Sequence, residues 1–246
     1  LIAFKKSHAP IKKFDQVRSD FVANASHELK TPVAGIRLLS EAIRDAAEIE
    51  DKKSLNLFID RLDNEAERLQ RLVIDLLDLS RLEETPDPDR CPRTDLHSAI
   101  VTSFMAHKGE AEDKHLDLVL DDRSVTGDDC YADMEPSDAS LVFDNLIENA
   151  IMYTDEGSIL VTFEPRGHEI AVIVQDTGIG IPQTDQSRIF ERFYRVDKAR
   201  SREVGGTGLG LSLVRHAVER SKGRVSVKSN PGEGSQFTVV FPRAKR

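Results

Sequence analysis

The chain has 246 residues, 39% of them hydrophobic and 31% charged, with a formal net charge of -9. At about 100–200 residues per domain that length calls for two domains. The acidic balance excludes broad electrostatic binding to nucleic acid or to an anionic membrane face, so an anionic ligand needs a local basic cluster.

The opening Leu1-Ile2-Ala3-Phe4 followed by Lys5-Lys6 reads either as an arbitrary boundary or as the end of a membrane helix with its basic flank. No stretch reaches the length and apolarity of a bilayer span, and no signal peptide is visible. Cys91 and Cys130 lie far apart without metal-ligand spacing, which points to a reduced, cytosolic compartment. Residues 1–13 are read as a linker.

From Phe14 the apolar residues Val17, Phe21, Ala25, Leu29, Pro32, Ile36, Leu39, Ile43 and Ala46 follow at steps of three or four, the stripe of one amphipathic helix. Leu55, Leu62, Leu69 and Leu76 recur every seventh residue with Phe58, Ala66 and Val73 between them, giving a second helix with a heptad seam. The short polar connection near Asp51 makes the two antiparallel over residues 14–84. A lone hairpin cannot cover both stripes. A homodimeric four-helix bundle would, and docking on the chain's own C-terminal domain is the alternative.

Residues 85–94, with Pro86, Pro88 and Pro92 among charges, form a linker. Over residues 95–246 the pattern is mixed. Strands are expected at Leu118–Leu120, Ile159–Phe163, Ile170–Val174, Val225–Val227 and Phe237–Phe241, with helices at Ser137–Tyr153 and Gly208–Ser221, hence an α/β layer domain.

Four places carry chemistry. At about 100° per residue, His27 faces away from the stripe that holds Ala25 and Leu29, with Glu28 beside it and Thr31 one turn on; Pro32 removes a backbone donor just beyond. A neutral imidazole is a competent nucleophile near pH 7, and an adjacent carboxylate can take the proton from one ring nitrogen and leave the other free. Asn145 and Asn149 share a helical face and offer hard, neutral amide oxygens suited to Mg²⁺. Asp176, at a strand end before Gly178, Gly180 and Ile181, can accept the exocyclic amine of adenine. Gly206, Thr207, Gly208, Leu209 and Gly210 open a helix whose N-terminus can face phosphates. Between these loops Arg188, Arg192, Arg195, Lys198, Arg200 and Arg202 supply cations on a lid-like segment, with Phe190, Phe193 and Tyr194 as its anchors.

The string Phe21-Val22-Ala23-Asn24-Ala25-Ser26-His27-Glu28-Leu29-Lys30-Thr31-Pro32 closely resembles the H-box of sensor histidine kinases. The asparagine helix and the two glycine loops resemble the N, G1, F and G2 boxes of the same family, in order, and Pro231–Phe237 resembles its last glycine turn. This resemblance implies a helical hairpin dimerising into a four-helix bundle, followed by the α/β sandwich shared with gyrase- and heat-shock-90-type ATPases. It implies ATP and Mg²⁺ as ligands. His27 would be the phosphoacceptor, Glu28 the general base, and Thr31 the residue that positions water for dephosphorylation. Asn149 would hold the metal with Asn145 in support, Tyr153 would lie near the phosphates, and Asp176 would bind adenine. Gly178, Gly180, Ile181, Arg195, Gly206, Thr207, Gly208, Leu209 and Gly210 would shape the nucleotide pocket. The implied partners are a second copy of the chain and the receiver domain of a response regulator, the chain being the cytoplasmic portion of a protein anchored through an N-terminal sensor region. Met152 departs from the pattern, since the family places a cation before the aromatic that matches Tyr153. That departure motivates the alternative of a nucleotide-regulated scaffold or phosphatase with little kinase activity.

Overall fold

In the computed structural model, residues 9–84, 92–123, 130–197 and 206–244 are described, with side chains from Phe21 onward. Cys91, Lys198, Arg200 and Arg202 lie outside the described residues. Backbone packing divides the chain into two units. One holds residues up to Ile74 together with Gly205–Thr207, and the other holds Asp75–Val204 and Gly208–Arg246.

The first unit is a helical hairpin. Helix α1 spans Ala9–Glu48 and helix α2 spans Lys52–Glu83. Glu50 takes a left-handed conformation (φ 57°) at the turn. Asp51 then caps α2, its carboxylate accepting from the backbone N–H groups of Lys53 and Ser54 at 3.2 Å each, and from the Ser54 hydroxyl at 2.6 Å. On α1 the expected stripe holds from Phe21 onward, with Ala25, Pro32 and Ala46 buried and Phe21, Leu29, Ile36, Leu39 and Ile43 half-buried, while Phe14 and Val17 lie outside the described side chains. The helix runs unbroken through Pro32.

On α2 the seam differs from the sequence reading. Leu55, Phe58, Leu62, Leu69 and Leu76 turn inward, but Ala66 and Val73 are exposed, while Arg68 and Leu72 are buried. Both series step by three and four from the shared leucines. The apolar count alone favoured 66 and 73, whereas the packing uses 65, 68 and 72, where two charged side chains satisfy each other.

In the second unit a five-stranded sheet is built from β2 (Asp117–Asp121), β4 (Ser158–Arg166), β5 (Glu169–Asp176), β6 (Arg224–Asn230) and β7 (Gly234–Pro242), in the order β2-β4-β5-β7-β6. Only the β2–β4 pair is parallel. A two-stranded antiparallel pair joins β1 (Arg93–Asp95) to β3 (Tyr131–Asp133). Helices α3 (Leu96–Asp113), α4 (Pro136–Met152) and α5 (Gly210–Arg220) pack against the sheet and each other. Ile159, Val161 and Phe163 of β4, Val172 and Val174 of β5 and Phe237 and Val239 of β7 are buried beneath them. The expected strands are all present and longer than their apolar cores, because ladder hydrogen bonds continue past the last buried side chain.

Helix α3 and strands β1 and β3 were not legible in the sequence. In α3 the buried set Leu96, Ile100, Ser103 and Ala111 includes a serine, while Met105 is exposed, so no clean apolar stripe marks it. Its start is nonetheless well made: Asp95 caps it through the N–H groups of His97 and Ser98.

Candidate functional site

On the hairpin, His27 is the exposed member of the cluster, with 73% of its side chain open to solvent. Glu28 is only 19% exposed, and its Oε1 stands 3.8 Å from His27 Nδ1, a short reorientation away from a hydrogen bond. The Thr31 hydroxyl donates to the His27 carbonyl at 3.2 Å. Proline at 32 cannot donate the N–H that would close the turn on residue 28, so this side chain reinforces the one turn where the backbone ladder is incomplete. The sequence reading missed Arg68 and Glu65. Arg68 places Nη2 3.7 Å from Glu28 Oε2 and Nη1 3.6 Å from Glu65 Oε1. Two opposite charges three residues apart within the leucine heptad were the available signal.

In the α/β unit, Asn145 and Asn149 stand one turn apart on α4. Asn145 Nδ2 donates to the Leu141 carbonyl at 2.8 Å, and Asn149 Nδ2 donates to the Asn145 carbonyl at 2.6 Å. Backbone carbonyls only accept, so each amide nitrogen faces its own helix and each amide oxygen turns outward. The start of α5 comes up against this face. A Cβ on Gly210 would overlap Asn145 Oδ1, so any other residue there would have to displace that amide oxygen. Among the described residues no group of three or more His, Cys, Asp or Glu side chains is placed to hold a metal ion. A divalent cation here would rest on amide oxygen and on the ligand's own phosphates, a donor set that fits Mg²⁺.

Asp176 ends β5. Because strand side chains alternate, it lies on the same face as Val172 and Val174, turned toward the core. It is 5% exposed, and its Oδ1 accepts from the N–H groups of Gly178 (2.9 Å) and Ser235 (3.1 Å). Burial pushes its carboxyl above the usual carboxylate range, and those backbone donors oppose the shift without cancelling it. The loops around it interlock. Ile179 N–H donates to the Tyr153 carbonyl, and the Gly178 Cα packs against the same carbonyl too closely for a Cβ. Gly180 (φ 69°) packs in the same way on the Asn230 carbonyl, Gly232 N–H donates to Ile179, and Ile181 N–H donates to Ser229 Oγ at 2.7 Å.

Residues 183–197 form no helix or strand. Their buried anchor is Ile189, whereas Phe190, Phe193 and Tyr194, the expected anchors, are half-buried. Phe193 sits at φ 62° and donates its N–H to Gly208, and Arg195 stands beside Gly208, 3.2 Å from where a Cβ would be. Arg188 and Arg192 are engaged. Arg188 lies over the Tyr194 ring and pairs with Glu191, while Arg192 Nη2 meets Glu83 at 2.6 Å and His216 Nε2 at 3.0 Å.

The structure thus brings together Asn145, Asn149 and Gly210, and separately Tyr153, Asp176, Gly178, Gly180 and Ile181. Leu209 is fully buried at the head of α5. Gly206 and Thr207 are half-buried, lie outside any helix or strand and group with the helical unit. His27, Glu28 and Thr31 belong to the helical unit.

Residues 17–85 match the His Kinase A (phospho-acceptor) domain, and residues 134–245 match the histidine kinase-, DNA gyrase B-, and HSP90-like ATPase family. The chain is 37% identical over 245 residues to the sensor-like histidine kinase SenX3 of Mycobacterium tuberculosis, covering 98% of this chain and 58% of that relative. Two solved structures share the fold. Full-length ShkA in complex with AMPPNP gives a TM-score of 0.65 at 22% identity, over 92% of this chain and 46% of that one. Histidine kinase ThkA in complex with response regulator protein TrrA gives 0.67 at 21% identity, over 100% and 70%.

Proposed function

This chain belongs to the sensor histidine kinase family, and from that premise we propose that it moves the γ-phosphate of ATP onto His27 and then onto an aspartate of a response regulator. The observation that carries this reading is the exposed His27 imidazole with a half-buried carboxylate at its Nδ1. Glu28 accepts the Nδ1 proton, which leaves the Nε2 lone pair to attack phosphorus. A nitrogen–phosphorus bond forms as the bond to the β,γ-bridging oxygen breaks, and that electron pair leaves with ADP.

Nucleotide recognition falls to the α/β unit. Asp176 has Oδ1 committed to two backbone donors, so Oδ2 is the oxygen to receive the adenine amine. Mg²⁺, when bound, offsets phosphate charge. Asn149 would hold it through its amide oxygen with Asn145 beside it, while Arg195 near Gly208 faces the phosphate end. Catalysis then rests on positioning and charge compensation.

A homodimer follows from the hairpin's own surface. Val22, Val33, Leu38, Leu57, Val73 and Ile74 are all exposed, at 42% or more, in the single chain. A second hairpin burying them would form a four-helix bundle. ThkA's complex with TrrA supports a receiver domain as the partner. Thr31, hydrogen-bonded one turn beyond His27, is suited to orient a water in the reverse, dephosphorylating reaction. Among the described residues no helix is long and apolar enough to cross a membrane. The chain spans 58% of its SenX3 relative, and a membrane-anchored sensor region belongs to this proposal as a separate part of the protein.

The test is incubation with γ-labelled ATP and Mg²⁺. An acid-labile, base-stable phosphoprotein that chases onto a receiver domain is the expected result. Release of free phosphate with no labelled protein would refute the kinase reading.

A further inference from the structure

We propose that Arg68 is a positioning residue for the phosphoacceptor site: it holds the Glu28 carboxylate so that one oxygen faces His27. The inference rests on the kinase reading above and deepens it.

Arg68 is 8% exposed, unusual for a guanidinium on a two-helix surface where most charges are solvated. A cation held that dry needs anions, and it has one on each helix. Glu28 Oε2 comes from α1 at 3.7 Å, and Glu65 Oε1 from its own helix at 3.6 Å. The geometry is built to admit this pair. Gly35 of α1 faces Glu65, and a Cβ there would sit 3.2 Å from Glu65 Oε1 and 3.3 Å from its Cγ. The missing side chain at 35 makes room for Glu65, Glu65 steadies Arg68, and Arg68 steadies Glu28.

The two oxygens of Glu28 therefore have different tasks. Oε2 is tied to Arg68, which leaves Oε1 as the one 3.8 Å from His27 Nδ1. An unrestrained glutamate on a helix samples many rotamers, and fixing it costs side-chain entropy. Arg68 meets that cost before ATP arrives. The imidazole is then biased toward the tautomer with its proton on Nδ1, because a carboxylate waits there, and Nε2 is left unprotonated for attack. Arg68 is paired with Glu28 and Glu65, so its contribution to the His27 ring runs through Glu28.

That dependence supplies the test on the full chain. Single-turnover phosphorylation at saturating ATP, ATP affinity, and the ¹⁵N signals of the His27 ring are measured for wild type, Glu28→Gln, Arg68→Met and the double variant. General-base contributions run to about 10²–10⁴-fold, and Arg68→Met should forfeit about tenfold of that in rate. ATP affinity should be unchanged, and the ring signals should move toward a tautomer mixture. In the Glu28→Gln background the same substitution should do nothing further. A wild-type rate and unmoved ring signals in Arg68→Met, with Glu28→Gln impaired, would overturn the inference. An equal slowing in both backgrounds would show a structural role only and would also overturn it. Full activity of Glu28→Gln would overturn both the base assignment and this inference, a result distinct from the first. If Arg68→Met does not give a folded dimer, Arg68→Lys carries the same comparison. It keeps the charge but lacks the fork that spans two carboxylates, so a smaller loss in the same parameters is expected, and no loss counts against the proposal.

Discussion

Asp176 shows how a single residue is held against its own preference for water. Burial raises its pKa, so the folded state favours the neutral acid. The sign follows from linkage. Stability contributed by this group is present below the ordinary carboxylate pKa of about 3.9 and is lost as pH rises through the raised folded value. Holding a carboxylate at this buried position costs the folded state stability. An asparagine there can still accept from Gly178 and Ser235. Asp176→Asn is therefore expected to raise the melting temperature of the nucleotide-free protein by a few degrees at pH 7. The gain should shrink toward pH 4, as a pH series of thermal melts will read. The same variant should weaken ATP binding by roughly 1–3 kcal/mol in titration calorimetry, since a charged acceptor is lost. Met152 is the second informative residue, half-buried at the end of α4. With Arg188 and Arg192 committed to Glu191 and Glu83, Met152→Lys should add a phosphate contact and tighten ATP binding about tenfold. Unchanged affinity would mean that other cations already fill the role.

At the scale of elements, the last turns of α2 pack with the α/β unit rather than with the hairpin. Leu79 and Leu82 are buried there. Arg81 reaches Asp138 Oδ1 at 3.1 Å and Ser137 Oγ at 2.5 Å, both at the start of α4. From α5, Arg220 donates to the Arg81 carbonyl at 3.0 Å and lies 3.9 Å from Asp138 Oδ2. Asp138 is 1% exposed, and burial raises its pKa in spite of both arginines. This clamp ties the ends of three helices through one dry carboxylate. Arg81→Ala would leave Asp138 with the more distant Arg220 alone, and a loss of about 1–3 kcal/mol in chemical denaturation of the α/β unit is expected. Exchange protection should fall first in the backbone amides of Leu79–Glu83.

For the whole molecule, the division into two units puts His27 in one and Asp176 with the asparagine pair in the other, so the proposed nucleophile and the proposed nucleotide site belong to different units. His27→Gln is accordingly expected to abolish phosphoprotein formation while ATP affinity stays within twofold of wild type. Labelled protein persisting in that variant would move the acceptor elsewhere. Thr31→Ala should leave autophosphorylation intact and slow dephosphorylation of the receiver domain, measured as loss of label from the phosphorylated regulator. Equal loss of both activities would indicate damage to the bundle instead.

Much of this architecture lies in local pattern. Apolar steps of three and four require helices, alternation requires strands, and glycines at 178, 180 and 210 mark places where backbone must come close; each is a property of neighbouring residues and so is readable along the chain. His27-Glu28 and the asparagine pair were legible for the same reason, since one helical turn fixes which side chains share a face. The inner face of α2 was not, because residues 66 and 73 fit a heptad as well as 65 and 72 do, and only the approach of α1 with Gly35 chooses between them. Arg68 lies 40 positions from Glu28 and Arg220 lies 139 from Arg81, so those pairings exist only after the chain has folded. The sequence by itself determined the hairpin helices, α4, α5 and the five strands of the larger sheet, together with the residue types proposed to carry the chemistry. The tertiary structure decided which charges are taken out of water, because burial and the partner that makes it tolerable come from segments that share no local pattern.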